Sequence, residues 1–220
     1  MDTPTSSGRL IGVLILIQMI GGYLDNFVLM APVIAPPGFL VNAAGHSLQI
    51  SVSAILGLAT GLLCVGIAVT AFPVFRKRSE TMAIGFTALA IAGFSLAAVE
   101  NMNLMSMLSL SESYAKANAG DHAQFESLRG IVAASRNWAH YIRLIVDGCM
   151  LLAFYSVLFR FVLVPRALAG FGLGAVVLQI SAVAMPLFGH DIVFPMLMPL
   201  GLVQLALALW LIAKGLAVTR

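Results

Sequence analysis

The sequence predicts an all-α protein, a polytopic bundle of six transmembrane helices, and three observations lead to that prediction. Hydrophobic residues make up 60% of the 220 residues and charged residues only 10%, whereas soluble domains contain about 45–50% apolar and about 25% charged residues. Six apolar segments reach the roughly 20 residues that a helix needs to cross a bilayer. Lysine and arginine collect at the ends of those segments. A water-soluble enzyme is excluded, because too few polar side chains are present to cover a soluble surface.

The six segments are expected to form one domain over residues 1–220. They run Leu10–Ala31, Ser47–Phe72, Thr81–Leu104, Asn137–Val162, Leu168–Leu187 and Ile192–Ala213. The first is expected to be a retained span, because its apolar stretch exceeds the about 7–15 residues of a signal-peptide core. The basic residues flank the segments in short clusters, so the formal charge of +3 does not indicate nucleic-acid binding.

The distribution of basic residues predicts that both termini are cytoplasmic. Lysine and arginine near span ends are retained on the cytoplasmic side of a membrane. Of the twelve, eight fall on the side of the termini, three fall on the opposite side and Arg143 falls inside a span. The eight are Arg9, Arg76, Lys77, Arg78, Arg160, Arg166, Lys214 and Arg220, and the three are Lys116, Arg129 and Arg136.

The segment Ser111–Arg136 is the one sizeable stretch outside the predicted spans. Gly120-Asp121 is typical of a helix start, and Phe125, Leu128 and Val132 recur at helical spacing. The segment is therefore expected to be an extracytoplasmic loop or an amphipathic helix. Two roles stay open for it, a lid over an outward cavity and a connecting helix on the lipid headgroups.

Five ionisable residues fall at membrane depth, where each charge costs about 2.5–3.5 kcal/mol on insertion scales and therefore requires a partner or water. They are Asp25, Glu100, His140, Arg143 and Asp147. The fourth span is the most informative, because Arg136, His140, Arg143 and Asp147 are spaced by four, three and four residues and share one helical face. We expect this polar stripe to face the bundle interior.

Two interpretations of the stripe stay open. In one, Arg143 pairs with Asp147, Asp25 or Glu100 in a structural ion network that fixes the helix register. In the other, the five residues line a water-accessible, outward-facing pocket that binds a polar or anionic group through Arg143 and titrates through His140.

A metal site is a third, less specific idea. His46, His122, His140 and His190 all fall on the predicted outer side and, with Asp147 or Glu100, match the ligand types of zinc. No H-E-x-x-H or H-x-x-x-H spacing occurs in the chain. No metal ligand is therefore assigned, and the cofactor is left unknown.

Small residues at four-residue spacing predict close helix packing, since backbones approach closely where side chains are small. The pairs are Gly8/Gly12, Gly57/Gly61, Gly93/Ala97 and Gly170/Gly174. Cys64 and Cys149 lie inside apolar runs and are expected to pack as small hydrophobic residues. Pro199 is expected either to bend the last span or simply to mark its first turn.

The stretch from Phe159 to Gly170, FRFVLVPRALAG, closes the fourth span with a basic turn and opens the fifth with Pro165-Arg166. It resembles a bacterial family of six-helix membrane proteins known only as a domain of unknown function. The resemblance implies the six-helix architecture and a location in the bacterial inner membrane. It implies no activity and no site residues.

Three functional hypotheses follow. The first is a membrane protein, in one form a transporter, that binds a small or amphipathic molecule in a pocket built by Asp25, Glu100, His140, Arg143 and Asp147. The second is an accessory or structural subunit of a membrane complex. The third is a membrane-embedded hydrolase, in one form metal-dependent. The expected partners are the lipid bilayer, a small-molecule or lipid ligand, and copies of the chain or other membrane subunits, but not nucleic acid.

The predicted orientation can be tested with reporter fusions. We expect green fluorescent protein at the C-terminus to fluoresce, since that end is predicted to be cytoplasmic, and alkaline phosphatase inserted within Ser111–Arg136 to be active. The opposite pair of results would contradict the orientation.

Overall fold

A computed structural model describes residues 4–217 of the protein, and every regular element within them is helical. The elements are α1 (Pro4–Tyr23), a π-helical turn (Leu24–Leu29), α2 (Ala31–Ile34), α3 (Phe39–Asn42), α4 (Ser47–Arg76), α5 (Glu80–Lys116), α6 (His122–Arg160), α7 (Arg166–Ala184) and α8 (Met198–Lys214). Short 3-10 turns join several of them.

Six segments of the described chain are long and apolar enough to cross a membrane. They are Pro4–Ile34, Ala44–Arg76, Glu80–Lys116, His122–Arg160, Arg166–Phe188 and Phe194–Lys214. Each contains or closely overlaps one predicted span, so the predicted fold class is confirmed: the protein is all-helical with six membrane-spanning helices.

The third and fourth spans are longer than the sequence predicted. α5 has 37 residues and α6 has 39, which correspond to about 56 and 58 Å, whereas the hydrocarbon core of a bilayer is about 30 Å thick. The segment Ser111–Arg136 consists of the end of α5, a short turn and the first part of α6. α6 begins at His122, directly after the Gly120-Asp121 signal.

The chain forms two compact units, and α1, α4, α5 and α6 each contribute to both. The first unit contains the chain up to Gln18, Leu62–Phe94 and the chain from Leu144 onward. The second unit contains Met19–Gly61 and Ser95–Arg143.

Aromatic packing and close backbone contact organise the first unit. The rings of Phe75, Phe86 and Phe154 lie with centroids 5.3–5.8 Å apart, within the range of favourable aromatic pairs. α1 and α8 approach closely, because a Cβ on Gly12 would lie 2.7 Å from the carbonyl oxygen of Ala208. The Gly8/Gly12 pair therefore serves the predicted role, since only glycine leaves room for that approach.

Two other predictions concern residues of this unit. Both cysteines are free thiols, and the buried sulfur of Cys64 accepts a hydrogen bond of 2.9 Å from Gln18 Nε2. Pro199 is the second residue of α8, where the missing N–H removes no intrahelical bond. The simple helix start, one of the two alternatives for Pro199, is therefore the correct one.

The second unit has its own apolar core, to which the short helices α2 and α3 contribute. The core residues are Met30, Val33, Phe39, Ala43, Ile50, Leu104, Met107 and Leu108. Ser111 on α5 is fully buried and holds α3 and the chain just after it: its hydroxyl donates to Leu40 O at 2.9 Å and accepts from Ala44 N at 2.8 Å. This core supports the halves of α4, α5 and α6 that carry the polar residues.

Gly172 offers a test of packing in the first unit. A Cβ at this position would lie 2.7 Å from Cζ of the fully buried Tyr155, so we expect Gly172→Ala to lower the free energy of unfolding by about 1–3 kcal/mol. Gly174 is the matched control on the same helix, because its Cβ would meet no atom within 4 Å. Thermal unfolding in detergent measures both variants, and equal midpoints would contradict the predicted clash.

Candidate functional site: an intramembrane cluster around Glu100

Glu100 on α5 is the centre of a cluster of charged side chains in the second unit. Its Oε1 lies 2.8 Å from His140 Nδ1 and 3.2 Å from an Arg136 guanidinium nitrogen. Its Oε2 accepts a hydrogen bond of 2.7 Å from Arg143 Nη1. One carboxylate thus contacts three basic side chains, and charge-assisted hydrogen bonds of this kind are the strong ones.

The three basic residues share a face of α6 because they are spaced by four and three positions, the separations that place side chains on one side of a helix. The facing helix α5 supplies the acid. A neighbouring pair sets the register of the two helices, since Ser135 Oγ donates to Asn103 Oδ1 at 2.7 Å. Asn101, next to Glu100, packs on Gly57 of α4, whose missing side chain leaves room for the amide.

Asp25 joins the surroundings of the cluster from the first span. It lies in the π-helical turn, where Met30 N donates to Asp25 O at 2.9 Å, and such turns occur frequently at functional sites. The Ser53 hydroxyl on α4 donates to the Asp25 carboxylate. Asp25 also lies within electrostatic range of Glu100, Arg136 and Arg143.

Counting along the two helices places the cluster near the edge of the hydrocarbon core. Glu100 lies twenty residues after Glu80, and His140 lies twenty residues before Arg160, so each is about 30 Å from the charged end of its helix. That distance matches the thickness of the hydrocarbon core. Trp138 and Tyr141, which flank His140 on α6, fit this depth, because tryptophan and tyrosine are enriched at membrane interfaces.

The acid and the bases differ in exposure. The Glu100 side chain is 9% exposed, whereas those of Arg136, His140 and Arg143 are 25%, 25% and 23% exposed. The carboxylate is therefore enclosed by its partners, and each basic side chain keeps part of its surface open.

The structure unites most of the predicted site residues. It brings Glu100, His140 and Arg143 into direct contact and places Asp25 close by. Asp147 belongs to the first unit, where its carboxylate packs against Gly93. Its membership in the same pocket stays a prediction.

Two residues that contact the site, Arg136 and Ser53, were absent from the predicted site. Arg136 contacts Glu100, and Ser53 contacts Asp25. Arg136 carried a signal, because it continues the stripe of His140 and Arg143, but the sequence placed it at the outer surface. No signal in the sequence identified Ser53, since a single serine in an apolar helix forms no periodic pattern. Its partnership with Asp25 depends on how α4 packs against the first span.

The four histidines have different surroundings in the described part of the chain. His46 Nδ1 lies 2.9 Å from Asn42 O, the ring of His122 packs on Tyr114, and His190 is exposed. Within residues 4–217, no group of three or more His, Cys, Asp or Glu side chains could hold a metal ion.

The fold and the cluster define a class, a multi-pass helical membrane protein with a buried charged cluster in one half of its helices. Residues 10–215 match the family described as "Domain of unknown function (DUF4386)", and the chain belongs to this family. The resemblance of the Phe159–Gly170 stretch to a six-helix family of unknown function is thereby confirmed. No curated protein and no solved structure matches the chain.

Removing the charge of Glu100 tests its central role. We expect Glu100→Gln to lower the free energy of unfolding by about 2–3 kcal/mol, since hydrogen bonds to charged groups contribute about 1.5–3 kcal/mol and Glu100 contacts three basic side chains. Thermal or denaturant unfolding in detergent measures the loss.

Glu126 is the matched control on α6. It pairs with Arg129 at 2.9 Å, with both side chains about half exposed, so Glu126→Gln should change stability by about 0.5 kcal/mol or less. A Glu100→Gln variant as stable as the Glu126→Gln variant would show that the cluster contributes little to folding.

Proposed function

We propose that the protein binds a small or amphipathic molecule with an anionic group at the cluster of Glu100, Arg136, His140 and Arg143. We propose as well that it lies in the bacterial inner membrane, the location that the resemblance of Phe159–Gly170 implies. Transport of the bound molecule is one form of this function.

The observation that carries the proposal is the difference in exposure within the cluster. A network built only to neutralise charge would bury all its members together, because each exposed cation at membrane depth requires water or a partner. Here the Glu100 side chain is almost fully buried and the three basic side chains are each about a quarter exposed. A further anion would therefore meet the arginines and His140 without displacing Glu100.

The donor groups in contact support an anionic ligand. Two guanidinium groups and the His140 ring lie around one carboxylate, and guanidinium donors match the geometry of carboxylate and phosphate oxygens. Glu100 fixes the two guanidinium groups before a ligand arrives, and fixed donors bind a carboxylate or phosphate with less loss of side-chain entropy.

The depth of the cluster favours an amphipathic molecule. A headgroup at the edge of the hydrocarbon core leaves an acyl or alkyl chain free to extend into the bilayer.

A structural role is the competing function, and the complete engagement of Glu100 favours it. A carboxylate with three partners fixes the register of α5 against α6, as a subunit scaffold requires. The two functions differ in one measurable respect, since only a binding site discriminates between an anionic and a neutral amphiphile.

Dodecyl phosphate and dodecanol are suitable probes because they share a chain and differ in charge. We expect dodecyl phosphate, but not dodecanol, to raise the thermal unfolding midpoint of the purified protein. Arg143→Gln should weaken the apparent affinity for dodecyl phosphate about tenfold or more, since a charged hydrogen bond contributes about 1.5–3 kcal/mol.

Arg129→Gln serves as the control, because Arg129 lies on the same helix and pairs outside the cluster. It should leave the affinity unchanged. Equal effects of the two probes on the unaltered protein, or equal affinities of the two arginine variants, would overturn the binding function and leave the structural role.

A further inference from the structure

An apolar groove lies between α7 and α8 of the first unit, separate from the Glu100 cluster and sharing no residue with it. Its volume is about 940 Å³, within the range of sites for small molecules. Gly170, Phe171 and Gly174 line it from α7, and Pro199, Leu202 and Ala206 line it from α8. No ionisable side chain lines it.

The side of the groove along α7 is about as long as one leaflet of a bilayer. Its lining there runs from Ala167 to Leu178, twelve residues or about 17 Å of helix, and half of the hydrocarbon core is about 15 Å. On α8 the lining runs from Pro199, in the first turn, to Ala206. The groove is therefore long enough for an acyl chain that enters from the membrane surface at Ala167.

The end of the groove at Ala167 is marked by basic and interfacial residues. Arg166, the first residue of α7, is exposed and directly precedes Ala167. Arg160 at the end of α6 and Lys214 at the end of α8 are also exposed. Trp210, 38% exposed, lies one turn before Lys214 and is typical of the membrane interface.

The groove owes its width to absent side chains. A Cβ on Gly174 would meet no atom within 4 Å, so the space beside this residue is open. Phe171 and Leu202, 75% and 70% exposed, form its walls. A side chain at position 174 would therefore start in open space, and a leucine there would occupy part of the groove.

From these observations we infer that the groove is a binding site for an anionic phospholipid. One acyl chain lies between α7 and α8, and the phosphate group binds Arg166. The basic residues at the Ala167 end of the groove select an anionic headgroup. Each basic side chain near the membrane surface contributes about 1 kcal/mol to the attraction between the protein and anionic lipid.

The test uses the full-length protein purified in a neutral detergent, with phosphatidylglycerol and phosphatidylcholine of identical acyl chains as probes. Native mass spectrometry counts the lipids bound, and thermal unfolding measures their effect. We expect phosphatidylglycerol to remain bound and to raise the unfolding midpoint more than phosphatidylcholine does. Gly174→Leu should abolish this difference, and Arg166→Gln should weaken the apparent affinity for phosphatidylglycerol about fivefold.

Two matched controls are available in the same unit. Gly85 on α5 is equally open, since its Cβ would meet no atom within 4 Å, and Lys77 is an exposed basic residue between α4 and α5. Gly85→Leu and Lys77→Gln should leave the preference for phosphatidylglycerol intact.

Three results would overturn the inference. The first is equal binding of the two lipids to the unaltered protein. The second is an Arg166→Gln variant that behaves as Lys77→Gln does. The third is a Gly174→Leu variant that converts a dimer to a monomer while its bound lipid is unchanged, because the groove would then hold a second copy of the chain.

Discussion

A buried carboxylate at the edge of the hydrocarbon core constrains how the second unit is built. Glu100 cannot lie there alone, since the cost of a charge in a low-dielectric environment is recovered only by close, well-oriented partners. Arg136, His140 and Arg143 meet that requirement together, with contacts of 2.7–3.2 Å. A one-residue rotation of α6 would separate all three from the acid, so the charge cluster fixes the relative register of α5 and α6.

That constraint explains features that lie apart in the sequence. The hydrogen bond between Ser135 and Asn103 extends the same register beyond the cluster, and Gly57 gives Asn101 the room that α5 needs at this level. The apolar core around Met107 and Leu108 then holds the long ends of the helices together. Polar and apolar contacts thus alternate along α5.

The two units use different means of stabilisation. The first unit relies on aromatic packing and on glycines that let backbones approach, as at Gly12 and Gly172. Lipid gives little hydrophobic drive for helix association, so shape complementarity has to supply it. The second unit adds hydrogen bonds and charge pairs to its apolar core. The apolar groove and the charged cluster are consequences of these two modes of construction.

The amino-acid sequence by itself determined the six spans, because apolar length is a local property that the bilayer requires directly. It also determined that His140 and Arg143 share a face with Arg136, because helical periodicity is local too. Glu100 and Asp25 were identifiable from the sequence as charged residues that need partners. The sequence left open which residues those partners are.

Only the tertiary structure decided that Glu100 takes three partners from α6, that Ser53 engages Asp25 and that Asp147 packs against Gly93. It also decided that α5 and α6 continue as helices through most of Ser111–Arg136. These features depend on which helices become neighbours, and that choice is set by the packing of whole helical faces, which no local spacing in the sequence records.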